Sequence, residues 1–476
     1  MYRFFAGNLN EECGVLGVYG VENAKDLMYY GLHTIQHRGQ EGAGIVTVDK
    51  NGVMHRVKGM GLVTEVFNAE NLRSLSGDMA IGHVHYTVGN KTGIENIQPF
   101  LFHHYTGDFA ICHNGSVVNS NELRRFLEDQ GSIFQSTSDS EILAHLIKRE
   151  QPTAITVNVI LEALNKLEGA FAYLIMTRDK LYCCRDKHGL RPLSIGTLGS
   201  GYVVSSETCV FEVTGAKYLR DVEPGEVVVL DREGLHSYNY SMYKRHYMCA
   251  MEFVYFSRPD SDIEGLNVHT FRKETGKLIY RDLPVDDADI VIGVPDSSLS
   301  AAIGYAEASG VPYEMGLIKS KYIGRTFIQP SQELREKGVR MKLSAVPSIV
   351  KDKKVVLIDD SIVRGTTSKR IVRLLREAGA KEVHVRIASP QLVNPCFYGV
   401  DTTSHDDLIC RHHTDDEVCK MIGADSLAFL SVDALYEAGR RSELCTACFD
   451  GNYPTQLYSS IEIESKKESE VVKGGK

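Results

Sequence analysis

The string VVLIDDSIVRGTTS, Val355 to Ser368, leaves the chain that carries it little freedom. Its first four residues are apolar and contiguous, the pattern of a short strand buried on both faces. That strand delivers two adjacent carboxylates, Asp359 and Asp360, at its carboxyl end. A helix is predicted just beyond, from about Thr367 to Ala378. The backbone N–H groups of Arg364 to Thr367 then sit at a helix start, where anions bind, and Gly365 lets the main chain approach a phosphate closely. Thr366, Thr367 and Ser368 add hydroxyl donors. Two acids beside a phosphate would repel it unless they grip sugar hydroxyls or a Mg²⁺ ion. An ordinary strand-to-helix loop accounts for many Asp-Asp pairs, but not for acids, glycine and hydroxyls in this register.

The surrounding segments repeat the plan. Asp289-Ile-Val-Ile-Gly-Val-Pro295 is a second apolar run, followed by a Ser-rich loop and a helix from about Ser300 to Ser309. Val383 to Ala388 supplies a further strand. Strand, small-residue loop and helix in succession predict a doubly wound parallel sheet. The first half reads differently. Short β-rich runs (Gly14–Tyr19, Met79–Val84, Phe109–Cys112, Phe171–Met176, Glu226–Leu230) are interrupted by two helices. One spans Ser120 to Gln130, with Ser120 as N-cap; the other spans Ser138 to Arg149, with Asp139 and Glu141 in its first turn. This predicts stacked sheets in an α/β sandwich. The boundary falls between Asp231 and Tyr247, and the tail after Tyr458 reads as a frayed end.

Composition narrows the function. A chain of 476 residues holds about two to four domains. Its 43% hydrophobic and 24% charged content excludes disordered, collagenous and miniprotein readings. A net charge of −9 without a long Lys/Arg cluster argues against general nucleic-acid binding. No run of about 18 uncharged apolar residues is present, so no membrane span is expected. The eleven cysteines, from Cys13 to Cys448, are odd in number, and Met1–Glu12 lacks the apolar core of a signal peptide. Reduced thiols in a cytoplasmic protein are the expectation. There a cysteine is a nucleophile, a metal ligand or a core filler.

Cys13-Gly-Val-Leu-Gly, His37-Arg-Gly-Gln-Glu-Gly-Ala-Gly44, His113-Asn-Gly-Ser116 and Ser138-Asp-Ser-Glu141 together resemble the class II, N-terminal-nucleophile glutamine amidotransferases. The chemistry is coherent, since a thiol needs a base and a free α-amino group on the same residue can serve. An amide nitrogen cannot, so Met1–Glu12 is expected to be removed, leaving Cys13 first. The resemblance implies that Asn114 and the Gly115 N–H form an oxyanion hole and that Asp139 holds the glutamine α-amino group. The chain departs from the family at His85, where the usual segment carries an arginine that pairs with the glutamine α-carboxylate. Either His85 is a weaker anchor, or a cation such as Arg38 substitutes, or glutamine use is impaired.

The string at Val355 resembles the phosphoribosyl-pyrophosphate (PRPP) motif of type I phosphoribosyltransferases. This implies that Asp359 and Asp360 grip the ribose while Ser361 to Ser368 cradle its 5′-phosphate. Pro295-Asp-Ser-Ser298 takes the place of the pyrophosphate loop. Ser297 there is either on the Mg²⁺ side or part of a helix cap. Cys445-x-x-Cys448 presents two sulfurs to one ion. Cys249 and Cys396 are the best further ligands, and four cysteines suit either zinc or a 4Fe–4S cluster; their contexts match the iron–sulfur branch of amidophosphoribosyltransferases, which implies the cluster. Cys112, Cys183, Cys184, Cys209, Cys410 and Cys419 need no special role.

The order of motifs from Cys13 to about Tyr458 is similar to that of the amidophosphoribosyltransferase family. The resemblance implies a leader over 1–12, a glutaminase domain of αββα sandwich form over 13–240, a phosphoribosyltransferase domain with the cluster ligands over 241–458, and a flexible tail over 459–476. A basic loop carrying Arg325, Arg335, Lys337, Arg340 and Lys342 would fold over PRPP. The implied reaction makes 5-phosphoribosylamine, pyrophosphate and glutamate from PRPP, glutamine and water, with Mg²⁺ as cofactor. Purine nucleotides are the implied feedback inhibitors and a homotetramer the implied assembly. A sugar-phosphate isomerase fused to a glutaminase would lack the Asp359-Asp360 motif. A PRPP-sensing transcriptional regulator would need a basic helix-turn-helix segment in place of the glutaminase motifs.

Overall fold

The computed structural model describes residues 13–86, 93–150, 154–242, 246–320, 343–400, 402, 405–441 and 443–455. Met1–Glu12, Thr87, the basic segment with Arg325, Arg335, Lys337, Arg340 and Lys342, and the tail after Tyr458 lie outside them.

The N-terminal half stacks two antiparallel sheets between two helical layers. In the first sheet the strands lie in the order Lys217–Asp221, Ser194–Leu198, Gly201–Ser205, Gly14–Tyr19, Met79–His85, Gly42–Val48 and Met54–Met60. In the second the order is Gly234–Asn239, Glu226–Asp231, Leu181–Arg185, Gly169–Met176, Phe109–Val117 and Phe100–Phe102. Side-chain alternation explains why both sheets are buried on two faces. From Gly169–Met176, Ala172, Leu174 and Met176 pack between the sheets, while Phe171, Tyr173 and Ile175 meet the outer helices Glu141–Glu150 and Val157–Leu164. On the other side, Ala24–Thr34 and Cys209–Thr214 cover the first sheet. The expected αββα sandwich is present.

Two helix starts differ from expectation. The first helix runs Ser120–Asp129, with Asn119 rather than Ser120 at the cap position. Asn119 does not cap it either, because its side chain bonds the Lys166 carbonyl (2.9 Å) and the Glu168 N–H (3.0 Å). The second runs Glu141–Glu150, three residues later than Ser138. The delay has a local cause. Ser138 and Ser140 bond each other, and the Asp139 carboxylate accepts the Val117 N–H at 2.8 Å, which ties this segment to the sheet instead.

The C-terminal half holds a parallel sheet in chain order, Ile290–Gly293, Lys354–Asp359, Glu382–Ile387 and Ser426–Phe429. Alternate residues again serve opposite faces. Val356 and Ile358 join the core under helices Val268–Asp282 and Leu299–Ser309, whereas Val355 and Leu357 meet Ile371 and Leu375 of helix Thr366–Glu377. This is the expected doubly wound arrangement. A two-stranded parallel ribbon, Met248–Cys249 with Leu444–Cys445, ties the beginning of this half to its end. No helix among the described residues is long and apolar enough to cross a membrane.

The helices Val268–Asp282 and Leu299–Ser309 cross backbone to backbone at two glycines. A Cβ on Gly276 would lie 1.8 Å from the Ala301 carbonyl oxygen, and one on Gly304 would lie 1.8 Å from that of Lys273. Neither obstacle is a side chain that can rotate away. Gly276→Ala or Gly304→Ala is therefore expected to destabilise the protein by about 1–3 kcal/mol or more, measured as a lowered midpoint in urea unfolding.

Candidate functional site

The strand Lys354–Asp359 ends at the two acids. Asp359 and Asp360 are buried, 7% and 8% exposed, at the floor of an open cavity of about 240 Å³. Burial pushes both carboxyls up, Asp359 further through its like-charged neighbour. Hydroxyls are their partners. Ser297 and Ser361 (2.6 Å) donate to Asp360, and Ser298 donates to Asp359 at 3.3 Å. Ser297 thus reaches the acids, and neither Ser297 nor Ser298 makes a side-chain cap bond to the following helix. Gly365 adopts φ +72°, the left-handed region, immediately before Thr366 opens the helix. Thr367 and Ser368 line the cavity with it. Arg364 turns aside, its guanidinium held by both oxygens of Asp407 at 3.0 and 2.6 Å, so its contribution to the cradle is the main chain. Lys319, Arg258, His37 and the buried Arg272 also line the cavity.

The second reactive group lies at the end of the first sheet. Cys13 precedes strand Gly14–Tyr19, and its Sγ bonds the Tyr86 N–H at 3.4 Å. Desolvation pushes the thiol up to about 12, so it needs a base before it can act. Asn114 follows the same inward face as Cys112, and its side chain is completely buried with neither amide atom hydrogen bonded. Gly115 has φ +128°, and a Cβ there would lie 2.1 Å from the Ala170 oxygen, so only glycine fits. Asp139 is half-buried and close enough to Cys13 to raise its thiol further.

His85 is buried, and burial together with the Lys58 ammonium pushes it down to about 4. It is a neutral imidazole at physiological pH and carries no charge for a carboxylate. Arg38 does not replace it. Only 1% exposed, Arg38 gives its Nη atoms to Glu252 (2.9 and 2.7 Å) and Glu207 (2.9 Å), and its Nε to the Cys13 carbonyl at 3.2 Å. It is a structural tie between the halves rather than a substrate cation.

That tie was not legible in the motifs. Glu207 also accepts from His37 at 2.6 Å and from Ser261 at 2.8 Å, and the adjacent cations hold its carboxyl far below the usual range. Glu252 accepts further bonds from Ser257 (2.9 Å) and Arg191 (3.3 Å), and Arg191 donates to the Tyr398 carbonyl at 2.6 Å. His37 lines the cavity above Asp359 and Asp360. A continuous bonded path therefore runs from that cavity through Glu207 and Arg38 to Cys13.

Cys249, Cys396, Cys445 and Cys448 converge as expected. Each is 9% exposed or less, they line one small chamber with Leu392 and Tyr398, and Cys249 pairs directly with Cys445 across the ribbon. Among the described residues, no three of their sulfurs lie within 4.8 Å of one another. A zinc tetrahedron with bonds of about 2.3 Å requires sulfur separations of about 3.8 Å. Cys112, Cys183 and Cys184 are completely buried core residues.

A glutamine amidotransferase domain family matches residues 88–212, and a phosphoribosyl transferase domain family matches residues 279–389. The amidophosphoribosyltransferase of Bacillus subtilis (strain 168) is 54% identical over 472 residues, 98% of each chain. That of Staphylococcus aureus (strain N315) is 49% identical over 463 residues, 96% of this chain and 93% of the relative. The solved B. subtilis glutamine PRPP amidotransferase complexed with ADP and GMP superposes with TM-score 0.89 at 55% identity, covering 94% and 98% of the two chains. A second structure, described as the allosteric regulatory enzyme of purine biosynthesis, gives TM-score 0.90 at 54% identity over 96% and 99%.

The buried charge junction generates its own prediction. Glu252→Gln would leave Arg38 and Arg191 short of a shared carboxylate with no water to replace it. A loss of about 3–5 kcal/mol of stability is expected, seen as an early unfolding transition in guanidinium chloride.

Proposed function

The chain belongs to the amidophosphoribosyltransferases, glycosyltransferases with glutamine amidotransferase activity that carry out the first step of purine biosynthesis, and on that premise we propose how its residues divide the work. The observation that carries the reading is the bonded path from the Asp359–Asp360 cavity to Cys13. It supports a reading in which two chemistries, each with its own motif, are coupled through shared buried residues.

Removal of Met1–Glu12 frees the Cys13 α-amino group. That amine takes the thiol proton as Sγ attacks the glutamine carboxamide, and returns it to the departing nitrogen. The C–N bond breaks, ammonia leaves and a thioester forms; water then releases glutamate. The unpartnered Asn114 amide and the Gly115 N–H receive the oxyanion, and Asp139 holds the glutamine α-amino group. His85 can donate a hydrogen bond to the α-carboxylate but no charge, which predicts weak glutamine binding. Ammonia passes internally to the cavity, where its nitrogen bonds the anomeric carbon of PRPP as the bond to pyrophosphate breaks. Asp359 and Asp360 hold the ribose hydroxyls, while the main chain from Ser361 and the hydroxyls of Thr366, Thr367 and Ser368 hold the 5′-phosphate. Arg325 and Lys342 belong to the basic segment that would close over the substrate and exclude water.

Mg²⁺ fits beside Ser297, Asp359 and Asp360, a carboxylate pair raised for want of positive charge, and when bound would neutralise the departing pyrophosphate. A 4Fe–4S cluster fits Cys249, Cys396, Cys445 and Cys448, four buried thiols that line one chamber and are not drawn together as tightly as a bound zinc would hold them. Purine nucleotides share the ribose 5-phosphate group that the cradle recognises and are assigned as feedback inhibitors. The ranges 13–240 and 241–458 serve as the two domains, with a homotetramer in the cytoplasm as the working assembly.

In Cys13→Ala, glutamine-driven pyrophosphate release should vanish while the ammonia-driven rate is kept. A regulator would release none with either nitrogen source, and N-terminal sequencing that reads Met1 in fully glutamine-active enzyme would refute the maturation step. Purified protein should be brown and hold about four irons per chain; a colourless, active, zinc-containing preparation would overturn the cluster.

A further inference from the structure

Cys13, His83 and His85 form a second cluster that the proposed reaction does not use as such. Their sulfur and one nitrogen of each ring lie within 4.8 Å of one another. The sheet register creates it. His83 and His85 stand two apart on strand Met79–His85 and share its inner face. The neighbouring strand pairs Gly14 with Val84 and Val15 with His83, so the next residue back, Cys13, comes opposite His85.

The imidazoles are prepared as ligands. His83 Nε2 lies 3.1 Å from the His113 carbonyl oxygen, which only accepts, so Nε2 carries the proton and Nδ1 keeps its lone pair. A ring whose far N–H is fixed by a carbonyl is the usual state of a metal-bound histidine. Nδ1 of His83 and Nδ1 of His85 are both buried without a hydrogen-bond partner, and the residues are 0% and 8% exposed. A guanidinium at position 85 would repel a cation; an imidazole has an electron pair to give.

We propose that Cys13, His83 and His85 bind a thiophilic divalent cation, Zn²⁺ by its donor set, and that this cation reversibly silences the glutamine-hydrolysing half. One thiolate and two neutral imidazoles are a common zinc donor set, and three protein ligands leave a fourth position open. The Cys13 thiol proton is released to solvent as the metal–sulfur bond forms. Removal of Met1–Glu12 would add the Cys13 α-amino group as the fourth donor, on the same residue as the sulfur. The site itself rests on the geometry; its inhibitory consequence rests on the reading of Cys13 as nucleophile.

Co²⁺ titrated into the mature holoenzyme tests the site through a difference spectrum. A saturable thiolate-to-cobalt band with tetrahedral ligand-field bands is expected, lost in Cys13→Ala and in His85→Arg, each first shown by circular dichroism to be folded. Absence of the band in the unmodified protein, or its survival in both variants, overturns the site. Zn²⁺ should abolish glutamine-driven pyrophosphate release, a chelator should restore it, and the ammonia-driven rate should not change. A band that depends on Cys13 without loss of glutamine use would refute the silencing and, with it, the nucleophile reading. Equal loss of both rates would place the inhibition elsewhere.

Discussion

The protein is organised around a dry junction of four charges. Arg38, Glu207, Glu252 and Arg191 are each 1% exposed or less, and they come from segments far apart in the chain. Removing such groups from water is expensive, and only a nearly complete set of partners compensates it. Here each carboxylate accepts from at least three donors, which fixes the junction's geometry more firmly than apolar packing would. Its ends reach outward. Arg38 holds the Cys13 carbonyl, and Arg191 holds the carbonyl of Tyr398, two residues beyond Cys396. Cys13, the four-cysteine chamber and the Asp359–Asp360 cavity are thus all fastened to one set of buried charges.

Much of the fold was legible because it rests on local pattern. The run Val355 to Ile358 reads as a strand buried on both faces, and its alternate residues do enter two different cores. The sandwich followed from strands whose residues alternate between two apolar faces. Helix ends were less readable. Ser120 looks like a cap and Ser138 like a helix start by composition, but both depend on where a side chain's competing partners lie. Asn119 is drawn to the Lys166–Glu168 turn and Asp139 to Val117, and both are tertiary contacts that no window of sequence contains.

The sites divide in the same way. Asp359, Asp360, Gly365 and the hydroxyls after them act from one continuous loop, so a string displayed them. The four cysteines could be grouped because cysteine is rare and the Cys445–Cys448 spacing is suggestive. Glu207, Glu252 and Arg191 carried no signal, since a buried acid is written with the same letter as a surface one. Arg38 was read from its motif as a cation available to substrate, and its environment reversed that role. His85 was recognisable as a departure, but its neutrality comes from burial and from Lys58 on a neighbouring segment of the sheet.

The distribution of satisfied and unsatisfied polar atoms gives these assignments a common basis. Native interiors rarely leave buried polar atoms without partners, so where they are left, a ligand is the usual completion. Both carboxylates of the charge junction accept a full set of bonds, and of its side-chain atoms Arg191 Nε makes no hydrogen bond, which fits a structural role. Both amide atoms of Asn114 and the Nδ1 atoms of His83 and His85 are unsatisfied, and a ring nitrogen of each histidine lies within 4.8 Å of the Cys13 sulfur. An amide there suits a transient oxyanion, which arrives with the substrate and leaves with it. Two neutral imidazoles beside a thiol suit a cation. Both ligands need the same sulfur, so the site can serve only one at a time. On the proposed reading, His85 in the place of a positive side chain has two linked effects: it removes charge that would draw glutamine in, and it removes charge that would keep metal out.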